Sequence, residues 1–179
     1  AAAASDAAIV VVASAMTGVT DELIAAATAA VEGEPQRAST LIEGIQKRHL
    51  DALDELGIAG PKSATTREAI DRICGELDTM IESIGVLQEL TQRVRDRIIA
   101  SGEKLSIRVL AIALQQQGLS ATPMDADAFL ETDARHGEAN PLGVVADRTI
   151  AAAIRPVLDA GQTPVVTGFC GLAPDGSTT

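Results

Sequence analysis

Short β-branched runs alternate with longer helical patterns along the chain. Residues Ala7–Ala13 read AAIVVVA, a continuous apolar run typical of a strand that is buried on both faces. A polar loop, Ser14–Thr20, follows this run, and an Ala-rich segment then extends from Asp21 to about Glu32. We predict Thr20 as the N-cap of a helix, because acidic residues directly after it suit the positive helix end. The stretch therefore predicts a strand–loop–helix unit.

Two helices are predicted between this unit and the remaining strands. The T-x-x-E patterns at residues 40–43 and 65–68 match the capping box that opens a helix. Apolar residues recur at spacings of three and four after each box, which marks one face of a helix. His49 lies on the first of these stripes, where a packing or capping role is favoured over a catalytic one. We interpret the pair as an antiparallel helical insertion at about residues 35–100.

The rest of the chain continues to alternate between helices and strands, which predicts an α/β protein with a parallel sheet covered on both faces. Pro156 falls within a predicted helix and predicts a kink or an early end. The predicted elements are a helix over Thr91–Ala100, an interruption at Ser101–Glu103, a helix over Lys104–Gln117, strands near Leu119–Met124 and Ala128–Glu131, a polar loop over Asp133–Pro141, a helix over Asp147–Ala160 and a strand over Thr163–Thr167.

Composition narrows the class of protein. The 179 residues carry a formal net charge of −11, which does not attract nucleic acid or an anionic membrane surface. No apolar run is long enough for a membrane span, and the N-terminus lacks the pattern of a signal peptide. Cys74 and Cys170 stand alone, as reduced thiols of a cytoplasmic protein do. We therefore expect a cytoplasmic protein that binds neither nucleic acid nor membranes.

Candidate chemistry gathers in small polar loops. Ligands of parallel sheets bind beyond the carboxyl ends of the strands, which is where the loops Ser14–Thr20 and Gly168–Gly171 follow predicted strands. Glu103 has a carboxylate that is suited to binding an ammonium group. Arg135 has a guanidinium group that is suited to binding a carboxylate through two hydrogen bonds. Each feature also has an ordinary reading, as a capped turn, a helix-start Glu or a solvated Arg. Together they suggest a site for a small zwitterion with an extra carboxylate, and no metal ligands at a usual spacing are apparent.

Four ordered segments resemble the aspartate kinases of the amino-acid kinase family. They are VVVASAMTGVTDEL (Val10–Leu23), SGEKLSIRVLAIAL (Ser101–Leu114), TDARHGEANPL (Thr132–Leu142) and TPVVTGFCGLAPDGSTT (Thr163–Thr179). The resemblance implies a three-layer α/β/α fold with a mainly parallel sheet. It also implies transfer of the ATP γ-phosphate, with Mg2+, to the β-carboxylate of L-aspartate. It further implies a protein that forms homo-oligomers.

The resemblance also assigns roles to individual residues. The implied substrate-binding residues are Ser14, Thr20, Glu103 and Arg135. The implied nucleotide-side residues are Gly168, Gly171, Thr178 and Thr179.

The departures from the family pattern shape the expected domain organisation. The family's K-F-G-G-T-S loop, which carries the phosphate-binding Lys, has no match before Ala7, and its T-L-G-R-G-G-S-D loop would follow Thr179. We therefore expect residues 1–179 to be a partial kinase domain that holds the substrate-binding part and is inactive alone, so its catalytic residues stay unassigned. Two alternatives remain open: a non-catalytic kinase-derived module that binds an amino acid or a partner subunit, and a kinase of another small carboxylate or carbamate.

Overall fold

A three-stranded parallel sheet organises the protein. The computed structural model describes residues 8–58 and 60–179, so Ala7 of the first predicted strand lies outside the described residues. The strands are β1 (Val11–Ala13), β2 (Ala121–Met124) and β3 (Thr163–Thr167), in the order β1-β3-β2. Ala13 pairs with Thr167 at the carboxyl ends of β1 and β3, so the loops that follow these two strands begin side by side.

The two β-branched runs differ in burial. β3 is central, and four of its five residues are buried, as predicted for a strand covered on both faces. The prediction that the first run is buried on both faces is wrong for the described part of the chain. There β1 pairs with β3 alone, and the Val12 side chain on its outer face is 63% exposed.

Among the described residues, five α-helices account for most of the structure. Helices α1 to α4 pack on one another around a core of Leu, Ile, Val and Ala side chains, which explains how a chain with two Phe residues and no Trp or Tyr builds its interior. The helices are α1 (Val19–Val31), α2 (Pro35–Glu55), α3 (Pro61–Leu87), α4 (Gln92–Gln116) and α5 (Val144–Asp159).

Three predicted helix starts are wrong. The N-cap of α1 is Gly18, not Thr20, because Gly18 takes a left-handed conformation (φ 81°) that turns the loop directly into the helix. Neither T-x-x-E pattern caps a helix, since α2 and α3 begin earlier, each with a proline at its first position. The Thr40 hydroxyl instead donates to the carbonyl of Gln36 one turn back, as threonines inside helices do.

Helix α4 is continuous, so the predicted interruption at Ser101–Glu103 is also wrong. It begins at its N-cap Thr91, whose hydroxyl accepts a hydrogen bond from the backbone N–H of Val94 at 3.3 Å. The helical insertion is confirmed as α2 and α3, but its predicted end near residue 100 falls inside α4. The predicted strand at Ala128–Glu131 is absent: a short 3-10 helix spans Ala126–Ala128, and Glu131 forms a single bridge to Leu172.

Helices cover both faces of the sheet, as the sequence predicts. Val165 of β3 packs with Ile107 of α4, whereas the next residue, Val166, clusters with Ile154 of α5. Pro156 lies in the last turns of α5, which nevertheless continues to Asp159, so the helix does not end early. Within residues 8–58 and 60–179, no helix has both the length and the apolar character needed to cross a bilayer.

Candidate functional site

A buried carboxylate joins the loops that follow β1 and β3. The Ser14 hydroxyl donates to Glu103 Oε1 at 3.1 Å, and the backbone N–H of Phe169 donates to Glu103 Oε2 at 2.8 Å. Ser14 directly follows β1, and Phe169 lies two residues after β3. Glu103 comes from the middle of α4 and is only 4% exposed. The structure thus brings together Ser14, Glu103 and the Gly168–Gly171 loop, which are far apart in the sequence.

Gly102 explains how Glu103 comes so close to these loops. A Cβ atom at position 102 would lie 3.0 Å from Leu23 Cδ1, 3.1 Å from Val19 Cγ1 and 3.2 Å from Ala15 Cβ. The missing side chain therefore lets α4 pack directly against α1 and against the loop after β1. The sequence predicts a helix break at this position. In the structure, α4 is instead unbroken there and packs closely against the loop after β1.

Glu103 has neutral hydrogen-bond donors and no cationic partner among the described residues. Burying a carboxylate without a cation costs free energy, which two neutral donors offset in part. A ligand that carries an ammonium group would supply the missing charge. The arrangement is therefore suited to holding a small cationic or zwitterionic molecule at the carboxyl edge of the sheet.

The loop after β1 is held from the far side by Arg48, which sequence reasoning missed. Its guanidinium donates to the carbonyl of Thr17 at 3.2 Å and to Glu22 Oε1 at 2.6 Å. Arg48 comes from α2, so the helical insertion buttresses the candidate site. Thr20 lies in the first turn of α1, half-buried, and makes no side-chain hydrogen bond within the described part of the chain. The neighbour of Arg48, His49, is fully buried, and its Nδ1 lies 2.7 Å from the carbonyl of Ile45, which agrees with the packing role.

Arg135 stands apart from the buried carboxylate. Its side chain is 69% exposed, and its Nε donates to Asp133 Oδ2 at 3.1 Å within the same loop. Asp133 also accepts hydrogen bonds from the backbone N–H groups of Asn140 and Arg135, and these bonds hold its pKa below the usual value, with the Asn140 bond as the largest cause. The loop is therefore shaped by Asp133, while the terminal nitrogens of Arg135 point toward no described partner.

The predicted nucleotide-side residues lie together at the base of a chain reversal. Gly171 and Thr179 exchange two backbone hydrogen bonds, of 2.8 and 2.9 Å, and the Thr179 hydroxyl lies 2.7 Å from that of Thr132. A Cβ atom on Gly171 would lie 2.4 Å from Thr132 Cγ2, so only glycine fits there. A cavity of about 420 Å3 opens beside these residues and is also lined by Gly168, Phe169, Gly137 and Glu138. The cavity thus links the strand ends to the Asp133–Pro141 loop.

Two polar groups near the predicted nucleotide-side residues are paired within the described part of the chain. Across residues 8–58 and 60–179, no three His, Cys, Asp or Glu side chains converge closely enough to hold a metal ion. The Thr178 hydroxyl donates to Asp127 Oδ2 at 2.7 Å, and Lys104 pairs with the same oxygen at 2.6 Å. Both groups are therefore engaged within the protein and are not directed toward a phosphate.

Comparison with known proteins places this arrangement in a family. The model of the amino acid kinase family matches residues 1–178, and the chain belongs to that family. The Schizosaccharomyces pombe aspartokinase is 30% identical over 168 residues, which are 89% of this chain and 30% of that protein. Aspartokinase 1, chloroplastic, of Arabidopsis thaliana is 31% identical over 170 residues, 90% of this chain and 28% of the relative. The chain thus spans about a third of the length of these relatives.

The fold agrees with a solved structure of the same kind. Escherichia coli aspartokinase III, in complex with aspartate and ADP, superimposes with a TM-score of 0.84 at 25% identity. The match covers 96% of this chain and 36% of that protein. The predicted α/β amino-acid kinase fold is therefore confirmed.

Proposed function

We propose that the chain is the substrate-binding part of an aspartate kinase, which transfers the γ-phosphoryl group of ATP to the β-carboxylate of L-aspartate. The observation that carries the proposal is the buried Glu103 carboxylate, held by Ser14 and Phe169 and lacking a described cationic partner. The α-ammonium group of an amino acid matches this carboxylate in charge. The similarity to three aspartokinases supports this function over a kinase-derived binding module or a kinase of another carboxylate.

The other candidate residues are given the following roles in the proposed reaction. Ser14 orients Glu103 and lies beside the reacting groups, and Thr20 contributes a hydroxyl from the positive end of α1. Arg135 has unengaged terminal nitrogens on an exposed side chain, which suits it to grip a substrate carboxylate when the loop meets the ligand. Gly168, Gly171, Thr178 and Thr179 lead toward the nucleotide, with ATP and Mg2+ completed by residues of the whole protein.

Two features concern the cellular location and the oligomeric state of the whole protein. Both cysteines are free and buried thiols, which is consistent with a cytoplasmic location. Apolar side chains are exposed on the described part of the chain, among them that of Val12, and we propose a homo-oligomer on that basis.

The reaction can be tested directly in the whole protein. The proposed product is an acyl phosphate, 4-phospho-L-aspartate, which hydroxylamine converts to a hydroxamate that is measured by its iron complex. We expect hydroxamate and ADP to form together with L-aspartate and not with succinate, which has both carboxylates but no ammonium group. Equal turnover of succinate would show that the site is not an amino-acid site, and turnover of neither would remove the aspartate kinase assignment.

A further inference from the structure

A chain of polar contacts runs through His136 and ties three segments together. Its Nδ1 lies 3.0 Å from Asp96 Oδ2 on α4, and its Nε2 lies 3.3 Å from Ser177 Oγ. Ser177 belongs to the segment Leu172–Thr178, whose two end residues form a bridge and which we call the hairpin. The ring and Asp96 are largely buried, with side chains 17% and 10% exposed. Helix α4, the Asp133–Pro141 loop and the hairpin are therefore joined through one imidazole.

The hydrogen-bond partners of the ring restrict which of its nitrogens carry a proton. The Ser177 hydroxyl donates to Asp175 Oδ1 at 2.5 Å, and the pKa of Asp175 lies below its usual value, chiefly because of that hydrogen bond. Since a hydroxyl has one proton, Ser177 Oγ can only accept a hydrogen bond from His136. Asp96 is likewise an acceptor, so the ring donates in both contacts only when both of its nitrogens carry a proton.

The same proton count distinguishes the cluster from a catalytic triad. Asp96, His136 and Ser177 follow the acid–base–hydroxyl order of a hydrolase triad. In such a triad the hydroxyl donates to the ring, whereas here the proton of Ser177 is turned toward Asp175. The contact is therefore a structural clasp and does not activate a nucleophile.

We propose that His136 is an imidazolium clasp that positions the Asp133–Pro141 loop against α4 and the hairpin, and so shapes the cavity beside the Gly168–Gly171 loop. The part that concerns substrate rests on the proposed function. Asp96 also accepts a hydrogen bond from the backbone N–H of Gly137 at 2.9 Å, and Gly137 lines the 420 Å3 cavity. Fixing the ring thus fixes one wall of that cavity. His136 is a positioning residue and not a catalytic one.

Carboxylates and arginines both lie around the ring. Asp96 faces it from α4, and Asp175 lies beyond Ser177 on the hairpin. Arg93 of α4 pairs with Asp175 at 2.9 Å, and Arg135 of the same loop pairs with Asp133 and is mostly exposed. Asp96 thus contacts the ring directly, and Asp175 is connected to it through Ser177, while Arg93 pairs with that same Asp175.

The first test uses NMR to detect which imidazole nitrogens carry a proton. The chain has two histidines, so a long-range nitrogen–proton spectrum of the imidazoles shows two rings. His49 serves as the internal control, because burial is the main cause that lowers its pKa. At about pH 6 we expect protons on both nitrogens of His136, and the second proton to a smaller extent on His49. A His136 ring with an unprotonated Nε2 under these conditions overturns the proposal.

The second test measures how the clasp affects the affinity for L-aspartate. Ser177→Ala removes the acceptor of the Nε2 proton, and we expect it to weaken L-aspartate affinity about tenfold, the effect of one lost charge-assisted hydrogen bond. Ser177→Thr keeps the hydroxyl and should stay within about twofold of the wild type.

The possible outcomes distinguish a failure of this proposal from a failure of the proposed function. Unchanged L-aspartate affinity in Ser177→Ala would show that the clasp does not influence the substrate site. If the wild type binds no L-aspartate, the proposed function fails and the substrate part of the clasp fails with it. The imidazole spectrum still decides whether the clasp itself exists.

Discussion

Ser14 and Glu103 are 89 positions apart in the chain, yet the hydroxyl of one donates to the carboxylate of the other at 3.1 Å. The contact exists because the loop after β1 and the middle of α4 meet at the same corner of the sheet, beside the loop after β3. It defines the place where the protein holds its most deeply buried acidic side chain among the described residues. Substitutions around this corner test what builds it and what it holds.

Gly102→Ala should destabilise the protein by about 1–3 kcal/mol, the usual effect of overpacking. The added methyl group would meet Leu23, Val19 and Ala15 at 3.0 to 3.2 Å and push α4 away from the candidate site. Urea unfolding measures the change in the free energy of unfolding. Gly44→Ala is the matched control, because it lies in α2 with open space around it and should stabilise by about 0.5–1 kcal/mol. Equal effects of the two substitutions would refute the close-packing argument.

Arg48→Met should weaken L-aspartate binding severalfold while lowering stability by no more than about 1 kcal/mol. The substitution keeps most of the aliphatic length but removes the hydrogen bonds to Thr17 and Glu22 that hold the loop after β1. Calorimetry gives the affinity, and urea unfolding gives the stability. Arg72→Met removes an exposed pair with Glu76 on α3 and should change neither quantity appreciably. A loss of stability without a loss of affinity would show that Arg48 supports the helices only.

His49 should make the protein less stable as the pH falls below about 6.5. Burial is the main cause that lowers its pKa in the folded state, so the unfolded chain takes up a proton before the folded chain does. His49→Leu removes this difference, and it also removes a buried Nε2 that has no hydrogen-bond partner among the described residues. Urea midpoints measured from about pH 7.5 down to about pH 5.5 should decline more steeply in the wild type than in the variant. Parallel declines would mean that His49 does not titrate differently on folding.

The sequence predicts the order and type of most elements, because periodicity reports which faces are buried. It predicts β3 well, since a β-branched run in a central strand is buried on both faces. It fails at Ser101–Glu103, where a glycine that permits close packing has the same letter as a glycine that ends a helix. It also fails at the starts of α2 and α3, where proline at the first position decides the boundary more strongly than a T-x-x-E pattern.

The candidate site is only partly predictable for a related reason. Topology alone places the Ser14–Thr20 and Gly168–Gly171 loops at one edge of the sheet, and the structure confirms that neighbourhood. The contact between Arg48 and Thr17 and the contact between Asp96 and His136 could not be foreseen. Each joins a helix to a loop about 30 to 40 positions away in the sequence. No local pattern records such pairs; they follow from how the four helices pack.

The most direct test of the buried carboxylate is the preference of the site for an ammonium group. Binding of L-aspartate and of succinate is compared by calorimetry in the wild type and in Glu103→Gln, which keeps the shape of the side chain and removes its charge. We expect the wild type to prefer L-aspartate by at least about tenfold, and the variant to lose most of that preference. An unchanged preference in Glu103→Gln would contradict the claim that the buried carboxylate receives the substrate ammonium.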